Sequence, residues 1–206
     1  MRILVLASTS RRRIELLKKL GIEFMVIPPT ASEIVRDDPV ETVLLNAKNK
    51  ALSVISRAPE GSVIVAVDTV IYSSETGVIG KPSTLIEAEE ILEKLRGRWH
   101  SVYSGVYIVE KDVLRYSHFV EETRVRFRMF SRDELRKYLS SLEPLGKAGG
   151  YAIQGLGLFL VEKIVGDFYN VVGIPLQRLY IELRKFDIDL LEEAVRRIVI
   201  RKSKPV

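Results

Sequence analysis

Four polar constellations in this chain carry side chains able to do chemistry. The first is Ser8-Thr9-Ser10-Arg11-Arg12-Arg13, where a short apolar run gives way to helical spacing. Backbone N–H groups at a helix start, hydroxyls and guanidiniums together suit phosphate oxygens. Ser10 could also be a simple cap with the arginines solvated, but cations at a helix N-terminus oppose the macrodipole and so point to an anion. The second is Asp68-Thr69, directly after an apolar run. An aspartate there can bind Mg²⁺, orient and deprotonate a water, or merely cap a turn. The third is Glu33, which alone reads as a solvated loop carboxylate. Mg²⁺ is held by one or two carboxylates beside substrate phosphates, so Glu33 and Asp68 suffice if the fold brings them together, which spacing does not show. The fourth is the cation set Lys50, Lys81 and Lys147. Gly80 and Pro82 fix the backbone around Lys81; Lys50 reads as a solvated helix lysine.

Other catalytic patterns are missing. Gly80-Lys81 is no Walker A loop, because Glu75 stands where its first glycine belongs and Pro82 follows the lysine. There is no G-x-G-x-x-G, H-E-x-x-H or nucleophile elbow, and His100 and His118 read as ordinary strand-end residues.

The elements that position these groups follow from periodicity. Ile3 to Ala7 reads as a strand and Arg11 to Leu20 as a helix stopped by Gly21. Phe24 to Ile27 is a second strand, and Pro28-Pro29-Thr30 opens the loop carrying Glu33. Asp38-Pro39 caps a helix running to about Arg57. Val63 to Val67 is a continuous apolar strand, buried on both faces, with Asp68-Thr69 at its tip. A helix is expected over Leu85 to Leu95, then a meander of three strands, Val102 to Val109, Leu114 to Val120 and Thr123 to Met129, with one wet face. Ser131 and Glu134 form a capping box for a helix to about Leu142. A glycine-rich loop at 147–151, a strand from Leu158 to Val165, a helix from Leu176 to Lys185 and a closing basic helix from Leu190 to Arg201 complete the chain. No repeat or linker interrupts it, so one domain over 1–206 is expected, with 187–206 a basic helical extension.

Composition narrows the function. With 206 residues and 47% hydrophobic content, a single core of ordinary size can form. No apolar run suits a signal peptide or a membrane span, so a cytoplasmic protein without membrane contact is expected. Cys is absent, which removes thiol nucleophiles and thiolate ligands, and two histidines cannot fill a zinc site, so any metal needs oxygen ligands. The net charge of +5 suggests nucleic acid until it is located. Arg196, Arg197, Arg201, Lys202 and Lys204 sit in the last eleven residues; without those five of the 32 cations, 27 remain against 27 acids. The body is neutral, and no specific nucleic-acid partner is expected.

Leu6 to Leu17 resembles the opening signature of the Maf nucleotide pyrophosphatases. Asn46-Ala-Lys-Asn-Lys-Ala51, Val67 to Val70, Gly80-Lys-Pro82, Leu95 to His100, Glu143-Pro144 with Lys147 to Gly155, and Gly166 to Leu176 follow in that family's order. The resemblance spans residues 3 to 186. It departs at Arg11, where the family usually has proline, at Val67, where alanine is usual, and in the tail after Asp187. It implies an α/β fold with a mixed, strongly bent sheet flanked by helices, two lobes around a central cleft, and a homodimer. It further implies Asp68 as general base, Glu33 and Asp68 as ligands of Mg²⁺ or Mn²⁺, and Ser8, Arg13, Lys50 and Lys81 as binders of a nucleoside triphosphate. Arg12, Thr69 and Gln154 resemble the branch acting on dTTP and UTP, and the Gln154 amide suits the O4 and N3–H edge of uracil or thymine. The expected reaction is hydrolysis to the monophosphate and pyrophosphate. Its competitors are a house-cleaning pyrophosphatase for modified nucleotides and a non-catalytic cell-division regulator that binds nucleotide or nucleic acid.

Overall fold

The computed structural model describes residues 2–202, and Lys204 of the basic tail lies outside the described residues. Its frame is a seven-stranded mixed sheet in the order β2-β1-β3-β5-β6-β7, with β4 also paired to β3. β1 (Ile3–Ala7) lies parallel to β2 (Met25–Val26) and to β3 (Ser62–Ser73); β4 (Gly77–Ile79), β5 (Trp99–Glu110), β6 (Tyr116–Phe127) and β7 (Val161–Val165) continue it antiparallel.

Alternation along the strands builds two cores. Leu4, Leu6, Val63, Val65 and Val67 face one side, where they meet α1 (Arg11–Lys19), α3 (Leu85–Leu95), α4 (Arg132–Ser140) and α6 (Leu176–Arg184). Val5, Ala7, Ile64 and Ala66 face the other side, against Ala47, Ala51 and Val54 of α2 (Pro39–Val54). Double-sided burial of β3 is therefore as expected. The Asp38 side chain accepts from the Val40 and Glu41 N–H groups to start α2, and Ser131 with Glu134 forms the capping box of α4.

The structure corrects several boundaries. Val67 does not end its strand: β3 continues to Ser73 because β5 pairs with it from Val63 to Tyr72. The expected strands before and after Val120 are one, since Glu121 and Glu122 pair with Ser104 and Tyr103 and no turn-forming residue separates them. The strand expected from Leu158 begins only at Val161; Leu156–Leu160 is a 3₁₀ turn held by the Glu143 carboxylate, which accepts from the Leu156 and Gly157 N–H groups. β4 and the short α5 (Phe168–Val172) had no clear periodic signal. α7 (Leu190–Lys202) closes the described chain as expected.

Candidate active site

β3 leaves part of one edge free. β5 occupies one edge throughout, while the other is taken by β1 up to Ala66 and by β4 from Ile71 onward. Val67 to Val70 fall in that gap, so Asp68 and Thr69 stand at an opening of the sheet although they are mid-strand. The consequence expected of a strand tip is kept by different means.

Ser8 to Arg13 leave β1 at the same opening. Ser10 occupies the N-cap of α1 but makes no side-chain cap hydrogen bond, and the first turn holds no acid. Ser8 Oγ instead accepts from the Ser10 N–H at 3.1 Å. The helix start is thus left for another acceptor, as the anion-site interpretation requires. Arg13 donates to the Gly173 carbonyl at 2.6 Å and to Thr69 Oγ1 at 2.9 Å. Burial pushes its pKa down to about 10, against the pull of Asp68, so it remains a cation near neutrality. Burial also lowers Arg12, and it lowers Lys147, which Arg12 repels further.

Glu33 and Asp68 meet through Lys50. The Lys50 ammonium donates to Asp68 Oδ1 at 2.5 Å and to Glu33 Oε1 at 2.7 Å, and Lys81 donates to both Glu33 oxygens at 2.7 Å. Asn46, one helical turn before Lys50, donates to Asp68 Oδ2 at 3.0 Å. Its amide also exchanges hydrogen bonds with the Ile34 backbone, tying the Glu33 loop to α2. Lys50 is therefore no solvated lysine: it is buried between two carboxylates. Burial pushes the Glu33 carboxyl up, but hydrogen bonds and charges from Lys50 and Lys81 outweigh it and hold the pKa at about 2.

These groups line one cavity of about 450 Å³ that includes Ser8, Arg12, Arg13, Glu33, Lys50, Asp68, Thr69, Lys81 and Lys147, together with Tyr151 and Gly173. Gln154 is exposed and is not among its lining residues. Sequence reasoning did not single out Asn46 as a site residue, although its i, i+4 spacing from Lys50 was an available signal. Among the described residues no group of three or more His, Asp or Glu forms a metal cage. Two carboxylates already converging on one cation nevertheless fit a divalent metal whose other ligands come from phosphate and water.

A mixed α/β sheet opening onto a cavity with a free helix start, arginines, lysines and paired carboxylates defines a protein class that handles anionic phosphate ligands. The chain belongs to the Maf-like protein family, whose match covers residues 3–186. A dTTP/UTP pyrophosphatase of Staphylothermus marinus is 62% identical over 100% of both chains. Its counterparts from Caldicellulosiruptor bescii and Thermosipho melanesiensis are each 44% identical, over 93% and 86% of this chain and 98% and 94% of theirs. Among solved structures, the Staphylococcus aureus Ham1 protein aligns over 98% of this chain and 100% of its own at a TM-score of 0.46 and 15% identity.

Proposed function

We propose that the protein hydrolyses nucleoside triphosphates, foremost dTTP and UTP, to the monophosphate and pyrophosphate. The observation that carries this is the convergence of Glu33, Asp68, Lys50 and Lys81 in the same cavity as the α1 start and its arginines. The substrates are those named for the full-length relatives. A water attacks the α-phosphorus, its proton passes to Asp68, and the bond from the α-phosphorus to the bridging oxygen breaks to release pyrophosphate. Lys50 and Asn46 hold the Asp68 carboxylate in a fixed orientation for that transfer. Lys81, Arg12, Arg13 and the α1 N–H groups neutralise charge on the phosphate oxygens, which matters more in such reactions than covalent help. Glu33 and Asp68 would hold Mg²⁺ or Mn²⁺, which supplies Lewis-acid stabilisation of the phosphate charge when bound. Gln154 is retained in this proposal as a base contact, and a cytoplasmic homodimer as the working form. Among the described residues no helix is long and apolar enough to cross a membrane.

The test is Mg²⁺-dependent pyrophosphate release from normal and modified triphosphates, with wild type beside Asp68→Asn. The variant should lose about 10²- to 10⁴-fold in kcat while its nucleotide affinity stays within a few-fold. Near wild-type kcat in Asp68→Asn would remove the assigned base. Preference for modified triphosphates over dTTP and UTP would move the protein to the house-cleaning role, and binding without turnover would favour the regulator.

A further inference from the structure

Ser104 has no place in the mechanism above, yet it reaches the cavity wall through one contact. It is fully buried on β5, directly opposite Thr69 in the β3–β5 register, and its Oγ lies 2.8 Å from Thr69 Oγ1. That hydroxyl pair is the sole side-chain hydrogen bond of Ser104 among the described residues. Thr69 Oγ1 also receives the Arg13 Nη2–H at 2.9 Å, and a guanidinium can only donate.

The proton inventory then becomes determinate. A hydroxyl has two lone pairs and one proton. If Thr69 donated to Ser104, the buried Ser104 proton would be left without an acceptor, an arrangement that native interiors avoid. Ser104 therefore donates to Thr69, and Arg13 fills the second Thr69 lone pair. Only the Thr69 proton remains, and its protein acceptor, the Gly173 carbonyl, lies 3.5 Å away at the limit of a hydrogen bond. Thr69 is partly exposed and lines the cavity.

We propose that Ser104 is a positioning residue that commits the Thr69 hydroxyl proton to an acceptor oxygen of the bound nucleotide. Two oxygens have that chemistry: a ring carbonyl of uracil or thymine, and a phosphate oxygen. At ring position 4 cytosine carries an amino group, a donor that a committed donor repels. This inference rests on the proposed nucleotide substrate.

A double-mutant cycle of Ser104→Ala and Thr69→Val decides it, read by kcat/KM for dTTP, UTP and CTP and by Kd for a non-hydrolysable α,β-methylene UTP. Ser104→Ala alone should lower kcat/KM about tenfold, mainly through KM, and less than twofold once Thr69 is Val. A larger loss for dTTP and UTP than for CTP identifies the carbonyl at ring position 4 as acceptor; an equal loss for all three identifies an oxygen that they share, on phosphate or at ring position 2. An undiminished effect of Ser104→Ala in the Thr69→Val background would overturn the proposal, because Ser104 would then act through packing. Should Ser104→Ala not fold, Ser104→Cys, with its weaker S–H donor, takes its place in the cycle. A wild type that binds the analogue but releases no pyrophosphate would end the hydrolase proposal, while the coupling in Kd still decides the role of Ser104.

Discussion

His100 is 3% exposed, and its Nε2 lies 2.9 Å from the Tyr151 hydroxyl while Nδ1 has no partner. Its ring packs edge-on against Phe127 and Tyr151, so a charged imidazolium would find little solvation. Burial pushes its pKa down to about 3 from an ordinary 6.5. Between those values the unfolded chain binds the proton and the folded chain does not, so stability is full above pH 6.5 and falls as the pH drops toward 3. At about 1.4 kcal/mol per pH unit, acidification from 6.5 to 4.5 should cost on the order of 3 kcal/mol from this residue alone. Urea melts across that range should be steeper in pH for wild type than for His100→Gln. Parallel curves would acquit His100. In the sequence this residue looked like any strand-end histidine, because its enclosure comes from residues 27 and 51 positions away. The polar residues of the proposed site were more legible: Ser8, Arg13, Glu33, Asp68 and Lys81 do share a cavity. Gln154 lies outside its lining, and the grip of Lys50 on carboxylates rather than solvent depends on which face of α2 meets β3.

That docking of α2 is set by a residue with no side chain. Gly105 pairs with Asp68 on one side and Val120 on the other. A Cβ at Gly105 would sit 2.5 Å from the Val43 carbonyl carbon and oxygen and 2.8 Å from the Leu44 nitrogen. These are backbone atoms, so no rotamer change relieves the clash. Gly105→Ala must lift α2 from β5, at about 1–3 kcal/mol or more. The same movement draws Asn46 and Lys50 away from Asp68, so kcat should fall about tenfold beyond any loss of folded protein. Thermal melting, at about 2–4 °C per kcal/mol for a chain of this size, checks the first effect, and turnover of the folded fraction checks the second. A variant unchanged in both would mean that α2 has slack the close approach denies. Helix ends were readable at this scale, since Asp38-Pro39 and the Ser131–Glu134 box announce themselves locally. Strand ends were not. β3 runs past Val67 and β6 runs through Val120 because β5 supplies a partner of equal length, a property of the neighbouring strand.

Across the whole molecule, the stretch after α6 shows where a basic tail stops being an appendage. Asp187 takes a left-handed backbone conformation with φ of 59°, and the turn directs Ile188 and Leu190 into the main core, 3% and 6% exposed. Beyond them Leu191, Val195 and Val199 are exposed, and the tie to the body includes an ion pair between Arg197 and Glu23. An ion pair so open to water contributes between about 0 and 1 kcal/mol, whereas each buried aliphatic side chain contributes about 1.5–3 kcal/mol. The sequence placed the boundary of the extension at 187, where the family resemblance ends, yet the packing that supports the body persists to Leu190. Two truncations separate these contributions. A chain ending at Leu190 should melt within a few degrees of the full chain and keep its pyrophosphatase turnover, because the proposed active-site residues all precede it. A chain ending at Phe186 should lose about 3–6 kcal/mol and melt far lower, since it opens the core beside Leu183 and Phe186. Equal melting temperatures for the two truncations would show that Ile188 and Leu190 add nothing, and a loss of turnover in the longer one would tie α7 to the active site.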